Sequence, residues 1–581
     1  MTENTKLMSG NEAIARGAWE AGCTFGSGYP GTPSSEILPA LTRLGEVYTE
    51  WAPNEKGALE AASGASLTGA RCLVTTKHVG LNVAADPFFT LSYTGVTGGL
   101  VIVCADDPHM HSSQNEQDNR HFARAAKVPM LEPADAQEAY EMTKQAFALS
   151  EAFDTPVMLR VTTRLCHSDG VVAVGERTPP KPCTLPEKDP DKYVMIPGRA
   201  RARRKVIAER TRRLREAPPA NLNRIEPGDP ALGIICSGVV TQYAREAAPD
   251  ASFLKLGLTW PLPEALIREF AATVSRLVVI EELDLYLTGE VRALGLTVEA
   301  LPESLQLGEL SPARVRAALQ GGDVAPAPAG DLPPRPPQLC AGCPHRGVFH
   351  ALRQLKVFVT GDIGCYTLGT LPPLQALHTC LCMGGGIGQV HGLNQACGSA
   401  QRAVAVIGDS TFVHSGLTGL INIVYNQSPS VVIILDNATT AMTGGQDHPG
   451  TGQTLRGIPG GQLDLAAICR AAGVRHVETV DPADLAATTK ALNAALDAGE
   501  PAVLIARRPC VLIDPHREPA YRVEVSRCIQ CGACLRLGCP AISANVNEAG
   551  KRQPVIDATL CTGCRLCAQV CPKEAIVNTA P

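Results

Sequence analysis

The sequence has no uninterrupted apolar run near the roughly 20 residues that a membrane-spanning helix needs. Its opening residues, MTENTKLMSGNEAIARG, hold neither an apolar core nor a small-residue cleavage site, so no secretory signal is expected. Positive charge is not in excess, and a formal net charge of −5 gives no case for nucleic acid as a partner. No close internal repeat occurs outside a short C-terminal stretch. The expectation is a cytoplasmic chain that does not enter a membrane. Thiols stay reduced in that compartment, so 22 cysteines argue for metal rather than disulfides. The remaining composition is that of a globular protein, 45% hydrophobic and 19% charged, and 581 residues is a length for several domains.

Residues 1–171 alternate helical patterns with β-branched runs at Cys72–Thr76, Gly99–Cys104 and Val157–Val161, which reads as an α/β domain. Residues 172–230 are a basic, Pro-rich connector, and its run from Arg199 to Arg215 reads as a solvated helix rather than a dock for an acidic partner. Residues 231–320 form a smaller α/β pattern, with strands at Ala231–Cys236 and Leu277–Glu281 and a helix near Pro263–Thr273, and nothing in it asks for chemistry. GGDVAPAPAGDLPPRPP (321–337) is a linker, residues 338–512 are a second large α/β domain, and residues 520–581 are a cysteine-rich module.

Eight of the cysteines fall between Cys528 and Cys571. One set is Cys528-x2-Cys531-x2-Cys534-x4-Cys539-Pro540, the other Cys561-x2-Cys564-x2-Cys567-x3-Cys571-Pro572. The second is the bacterial ferredoxin run for [4Fe–4S], in which the fourth cysteine ligates the other cluster. One cluster is therefore expected on Cys528, Cys531, Cys534 and Cys571, the other on Cys561, Cys564, Cys567 and Cys539. The x4 gap departs from the usual x3, and a loop extension containing Gly538 can absorb it. Structural zinc prefers four ligands in two pairs, which this is not. Cys340 and Cys343 (LCAGCPHRG), Cys365 (GDIGCYTLG) and Cys510 (RRPCVLI) stand apart as a possible third metal set. The alternative is that all four are buried structural thiols, and spacing alone does not choose between the two. Cys380 and Cys382 (TCLCMGGGIG) are another pair.

Between Arg402 and Gly445 a β-branched run, Val404–Ile407, ends in Gly408-Asp409-Ser410. A helical segment, Leu417–Asn426, follows, and a second apolar run, Val431–Leu435, ends in Asp436-Asn437. Ligands of open α/β sheets collect at the carboxyl ends of parallel strands. A carboxylate from Asp409 and a neutral carbonyl from Asn437 suit Mg²⁺ holding a diphosphate. The arrangement resembles the thiamine-diphosphate motif, with Ser410 and Asp436 as departures from it.

The segments together resemble the large, thiamine-diphosphate-binding subunits of the 2-oxoacid:ferredoxin oxidoreductases that act on arylpyruvates. GNEAIARGAWEAG, GYPGTPSSEI, NEKGALEAASGAS, KHVGLNVAADP, CAGCPHR, GDSTFVHSGLTGLIN, DNATTAMTGGQDHPGTG and the cysteine module carry the resemblance, in family order over nearly the whole chain. It implies an α/β, multidomain, doubly wound thiamine-diphosphate-binding fold with a C-terminal ferredoxin-like module. Residues 1–171 would be the pyrimidine-binding domain, 231–320 a transketolase C-terminal-like domain and 338–512 the diphosphate-binding domain. The cofactor would lie in a cleft between the pyrimidine and diphosphate domains.

The resemblance also implies roles. Asp409, Asn437 and the Thr439 carbonyl would hold Mg²⁺, with Gly408 and Ser410 at the diphosphate. Glu55 would hydrogen-bond the aminopyrimidine, with Glu60 as the alternative; a buried carboxyl of raised pKa suits that task. Thr32 would reach the substrate carboxylate, and His78 and His448 lie in expected site loops. Cys340, Cys343, Cys365 and Cys510 would carry a proximal [4Fe–4S] cluster. The implied reaction is oxidative decarboxylation of an arylpyruvate such as indolepyruvate or phenylpyruvate to an aryl-acetyl-CoA, with electrons passing through two or three clusters to ferredoxin. The implied partners are a smaller β subunit in an α2β2 assembly, ferredoxin and coenzyme A. A non-oxidative arylpyruvate decarboxylase, or an electron-transfer subunit with a decayed thiamine site, are the alternatives.

Overall fold

The computed structural model describes residues 4–322, 336–397, 402–514, 516–546 and 550–579. It divides into two compact units, 1–331 and 332–581. Most of the expected linker, 323–335, lies outside the described residues.

The first unit is built on a seven-stranded sheet in the order Tyr48–Trp51, Cys23–Gly28, Arg71–Lys77, Leu100–Asp106, Val157–Thr162, Met130–Leu131, Leu258–Trp260. The first six strands run parallel; the last is antiparallel and comes from the stretch expected to form only the smaller domain. The helix Gly10–Glu20 starts on a capping box between Ser9 and Glu12, and the helix Glu55–Leu67 on Asn54, whose side chain accepts from the Gly57 amide. Such caps are each worth about 1 kcal/mol. A four-stranded sheet, Leu277–Ile280, Asp229–Ser237, Ala251–Leu256 and Arg224–Glu226, forms the smaller domain.

Buried ions join this domain to the first sheet. Arg120 Nη1 lies 2.8 Å from Glu281 Oε2 across this seam, and within the first sheet Arg160 contacts Asp106 and Glu132 at 2.8 Å each. Removing one partner of such a buried pair costs about 3–5 kcal/mol.

The connector corrects one expectation. The basic run forms the helix Pro197–Glu216, but it is not solvated all round: Ile207, Arg210 and Leu214 are buried. Arg210 donates to the carbonyls of Asp154 and Ser92, and Arg203 to the Tyr93 carbonyl and the Asp154 carboxylate. Guanidinium groups can satisfy buried carbonyls while their stems pack, so a charged helix docks here as a strap.

The second unit centres on six parallel strands in the order Thr379–Cys380, Phe358–Gly361, Ala403–Gly408, Val431–Asp436, Ala502–Arg507, His476–Val480. The three central strands are apolar on both faces, as a sheet covered on both sides requires. The cysteine-rich module adds two small antiparallel pairs, Tyr521–Val523 with Ile576–Asn578 and Ile542–Val546 with Arg552–Ile556. No helix among the described residues is long and apolar enough to cross a membrane.

Candidate active site

In the second unit, strand Ala403–Gly408 delivers Asp409 and the neighbouring strand Val431–Asp436 delivers Asn437, side by side at the carboxyl edge of the sheet. Asp409 is buried, and its two oxygens accept from the amides of Ser410 and Ala438, each at 2.8 Å. Ala438 sits at φ +60°, a left-handed conformation that a non-glycine residue adopts at a cost. That turn swings Asn437 and Thr439 toward Asp409. The Asn437 side-chain amide lies 3.3 Å from Asp409 Oδ1 and 2.9 Å from the Thr439 carbonyl, and with its nitrogen turned inward it donates to both. With its oxygen turned inward instead, the Asn437 amide would join Asp409 and the Thr439 carbonyl as three oxygens, a set that fits a hard cation such as Mg²⁺.

Ser410 Oγ accepts from Thr440 Oγ1 at 2.9 Å. A five-residue π-helical turn, Phe412–Gly416, follows at once, a distortion common at functional sites. Asp436 accepts from Arg507 Nε at 2.7 Å and also neighbours Asp409, and burial followed by the Asp409 charge raises its pKa.

His448 lies in this cradle. Its Nε2 is 3.2 Å from Asp409 Oδ2, misaligned for a hydrogen bond, while Nδ1 accepts from the Gly450 amide. An accepting Nδ1 puts the ring proton on Nε2.

Of the four isolated cysteines, Cys510 and Cys365 sit on segments that touch this cradle, and Cys340 and Cys343 are their neighbours. The Cys510 amide donates to the Asn437 carbonyl at 2.9 Å. Tyr366, next to Cys365, donates from its hydroxyl to Thr411 Oγ1 and leans over Gly408, where a Cβ would meet its ring at 2.6 Å. Burial pushes the Cys343 thiol up to about 12, with the charges of Cys340 and Cys365 pushing the same way. Burial likewise pushes Cys365 up to about 11, assisted by Cys510 and Cys340. Crowded thiols that are each other's electrostatic neighbours fit a shared metal centre. Cys380 and Cys382 are exposed and stand apart from this set of neighbours.

The C-terminal module sorts its thiols in the same way. Cys534 is raised by burial and by the charges of Cys528 and Cys571. Cys567 is pushed up to about 12 by burial, then by Cys564, Cys561, Cys539 and Cys534. These neighbours fit the crossed pairing of a two-cluster ferredoxin, and amides of Tyr521 and Ala575 point at Cys561 and Cys571 sulfur. The x4 extension is accommodated by Gly538 at φ +66°, where a Cβ would strike Pro373, and by Arg346, which donates to the Leu537 carbonyl.

In the first unit, Glu55 is the buried first residue of its helix. Its carboxylate lies against Gly80, where a Cβ would stand 2.3 Å from Oε1 and 2.4 Å from Thr76 Oγ1. Glu60, the alternative, is exposed and held by Lys56. Thr32 is partly exposed, in the turn after strand Cys23–Gly28, and the Asn11 side chain fastens that turn by donating to the Pro33 carbonyl at 2.8 Å. His78 is fully buried, with Nε2 beside Asn115.

Two buried residues were not anticipated. Asp362 accepts from the Gly384 and Gly386 amides, and burial raises it to about 7. Its Gly-Asp position at a strand end, like that of Asp409, was the available signal. Lys77 ends strand Arg71–Lys77 and is also buried.

Three family models match. "Pyruvate flavodoxin/ferredoxin oxidoreductase, thiamine diP-bdg" covers residues 16–212, "Thiamine pyrophosphate enzyme, C-terminal TPP binding domain" residues 362–506, and "4Fe-4S dicluster domain" residues 527–575. The chain is 41% identical to the indolepyruvate oxidoreductase subunit IorA of Methanothermobacter thermautotrophicus, over 99% of this chain and 97% of that one. It is 40% identical to the subunit of the same name from Archaeoglobus fulgidus, over 98% and 97%. A 2-oxoglutarate synthase subunit KorA from M. thermautotrophicus is 26% identical over 48% of this chain and 88% of that one. With near-full-length identity of this order, the chain belongs to the family of the indolepyruvate oxidoreductase subunit IorA.

Proposed function

We propose that this chain is the cofactor-bearing subunit of an enzyme that oxidatively decarboxylates arylpyruvates, indolepyruvate and phenylpyruvate among them, to aryl-acetyl-CoA and CO₂. Its family makes it an oxidoreductase of 2-oxo acids with an iron–sulfur acceptor. The aryl side chain, coenzyme A, the smaller β subunit, the α2β2 assembly and the cytoplasmic setting are our inferences from the resemblance. The observation that supports the proposal is the closeness, in one unit, of Asp409, Asn437 and Thr439 to a set of neighbouring thiols, Cys340, Cys343, Cys365 and Cys510.

Bound thiamine diphosphate would supply the electron sink for the carbanion left when CO₂ departs. Asp409, the Asn437 amide oxygen and the Thr439 carbonyl would hold Mg²⁺ on its diphosphate, with Gly408 and Ser410 at the phosphate oxygens. His448 would keep Asp409 oriented. The Glu55 carboxyl would hold and pass the aminopyrimidine proton, protected from water by its burial. Cys340, Cys343, Cys365 and Cys510 would bind a third [4Fe–4S] cluster beside the two of the ferredoxin module. Residues around the cradle would thus collect electrons where they are released.

The test is an anaerobic assay of the chain with its partner subunit on indolepyruvate, phenylpyruvate and pyruvate. CoA-dependent ferredoxin reduction, with both arylpyruvates favoured, supports the reading. Aldehyde release without ferredoxin reduction, or preference for pyruvate, overturns it.

A further inference from the structure

Two lysines are buried among the described residues, Lys77 and Lys255. Lys255 has a counterion, with Nζ 2.5 Å from Glu138 Oε2. Lys77 does not. Its Nζ donates to the Ser112 carbonyl at 2.6 Å, and no carboxylate of the described residues lies within ion-pair distance. Asp107 acts on it only through longer-range charge. That carboxylate is already engaged by the Ser112 amide, Ser113 Oγ and Thr163 Oγ1, at 2.8, 2.5 and 2.7 Å. An ammonium has three N–H donors, and a buried charge without a counterion is costly. Burial lowers the pKa of Lys77 to about 8.

The position of Lys77 is specific. It ends a central parallel strand, at the carboxyl edge where α/β sheets bind ligands. Its Cβ packs under the turn carrying Thr32, so closely that a Cβ on Gly31 would meet it at 2.9 Å. Three residues on, Gly80 abuts the Glu55 carboxylate. One strand end thus gathers the Thr32 turn, an unpaired cation and Glu55.

We propose that Lys77 is the cationic seat for the carboxylate of the 2-oxo acid. This rests on the function proposed above and names one of its substrate-binding residues. The charge it meets leaves as neutral CO₂ when the C–C bond breaks. Lys77 therefore stabilises bound substrate more than the transition state, and its loss falls on KM rather than kcat.

The test uses the full chain with its partner subunit and two variants, Lys77→Met and Lys77→Gln, either of which decides if the other does not fold. KM for indolepyruvate and phenylpyruvate is expected to rise roughly 10–100-fold, the scale of a lost charge-assisted hydrogen bond, with kcat changed far less. Thiamine diphosphate content and KM for CoA stay at wild-type values. Binding is read separately, by titration with indole-3-propionate, which keeps the carboxylate, and phenylacetone, which lacks it. The variants lose the first ligand and keep the second. Unchanged KM and unchanged indole-3-propionate affinity would overturn the inference and leave the proposed function standing. A wild-type enzyme inactive on every arylpyruvate would overturn the function, and the titration would still decide whether Lys77 seats a carboxylate.

Discussion

A Cβ placed on Gly342 would stand 2.0 Å from Thr562 Oγ1, so the Cys340–Cys343 loop touches the Cys561–Cys564 loop through the one residue type that permits it. Gly342 also sits at φ +73°, where a side chain is strained. Two thiol sets that would otherwise be separate centres are held loop against loop. Gly342→Ala is expected to push them apart and slow ferredoxin reduction, while CO₂ release in a single turnover persists. Adding Thr562→Gly in the same chain should recover part of the rate. Stopped-flow reduction kinetics and iron content check this; a double variant no faster than the single one argues against contact as the cause.

Gly80 makes a similar test of Glu55. A methyl group there has no room beside Oε1, so Gly80→Ala must displace the carboxylate or the helix that carries it. Glu55→Gln keeps the shape and removes the ionisable proton. If Glu55 handles the aminopyrimidine proton, both variants should lower kcat on the order of 10²–10⁴-fold, the usual weight of acid–base catalysis. Deuterium exchange at the cofactor's reactive carbon reads the same step without turnover. Full activity in Glu55→Gln would return that residue to a helix-terminal role.

The oxygen cradle predicts metal dependence. Asp409→Ala and Asn437→Ala each remove one of the three proposed ligands, and Mg²⁺ affinity should fall by at least roughly 10–100-fold, as seen even for outer-shell partners. Thiamine diphosphate should then wash out of the purified protein, and chelation of the wild type should reproduce the loss. His448→Gln, beside Asp409 but off the oxygen triangle, should weaken retention less.

Much of this arrangement was legible in the sequence because it depends on local order. β-branched runs ending in Gly-Asp and Asp-Asn became parallel strands with those residues at their carboxyl ends, at Gly408 and Asp436. The cysteine spacing led to an expectation of which thiols would be neighbours, and Cys534 lies beside Cys528 and Cys571 while Cys567 lies beside Cys564, Cys561 and Cys539. Long-range relationships were hidden. Leu258–Trp260, a three-residue strand far along the chain, joins the first sheet through only two antiparallel pairs, too short for any periodicity to reveal. The docked face of helix Pro197–Glu216 rests on Ile207, Arg210 and Leu214, and the surrounding arginines mask that spacing. Lys77 looked like any strand-end lysine, because burial without a counterion is a property of the folded neighbourhood.

Glu282 makes stability depend on pH far from any expected ligand. It is fully enclosed between the smaller domain and the first sheet, with the Leu310 amide donating to it at 2.8 Å. Burial raises it to about 7, the Glu309 charge adds to this, and Arg160 and Arg120 offset part of it. Between the ordinary carboxylate range and about 7, the unfolded chain gives up this proton while the folded chain keeps it. Its contribution to stability is therefore present at low pH and is lost as pH rises through about 7. Asp106, raised to about 6 chiefly by burial, acts in the same direction nearby. Glu282→Gln keeps an acceptor for Leu310 and has no proton to lose. At about pH 8 the variant should be more stable than the wild type, on the order of 1–3 kcal/mol. Its unfolding midpoint should also fall less steeply between about pH 5 and 8, with the remaining slope assigned to Asp106 and checked by Asp106→Asn in the same background. Anaerobic urea unfolding, with the clusters intact, measures both. A wild-type chain that gains stability as pH rises across that window would show that the carboxylate, not the acid, is the form this buried seam holds.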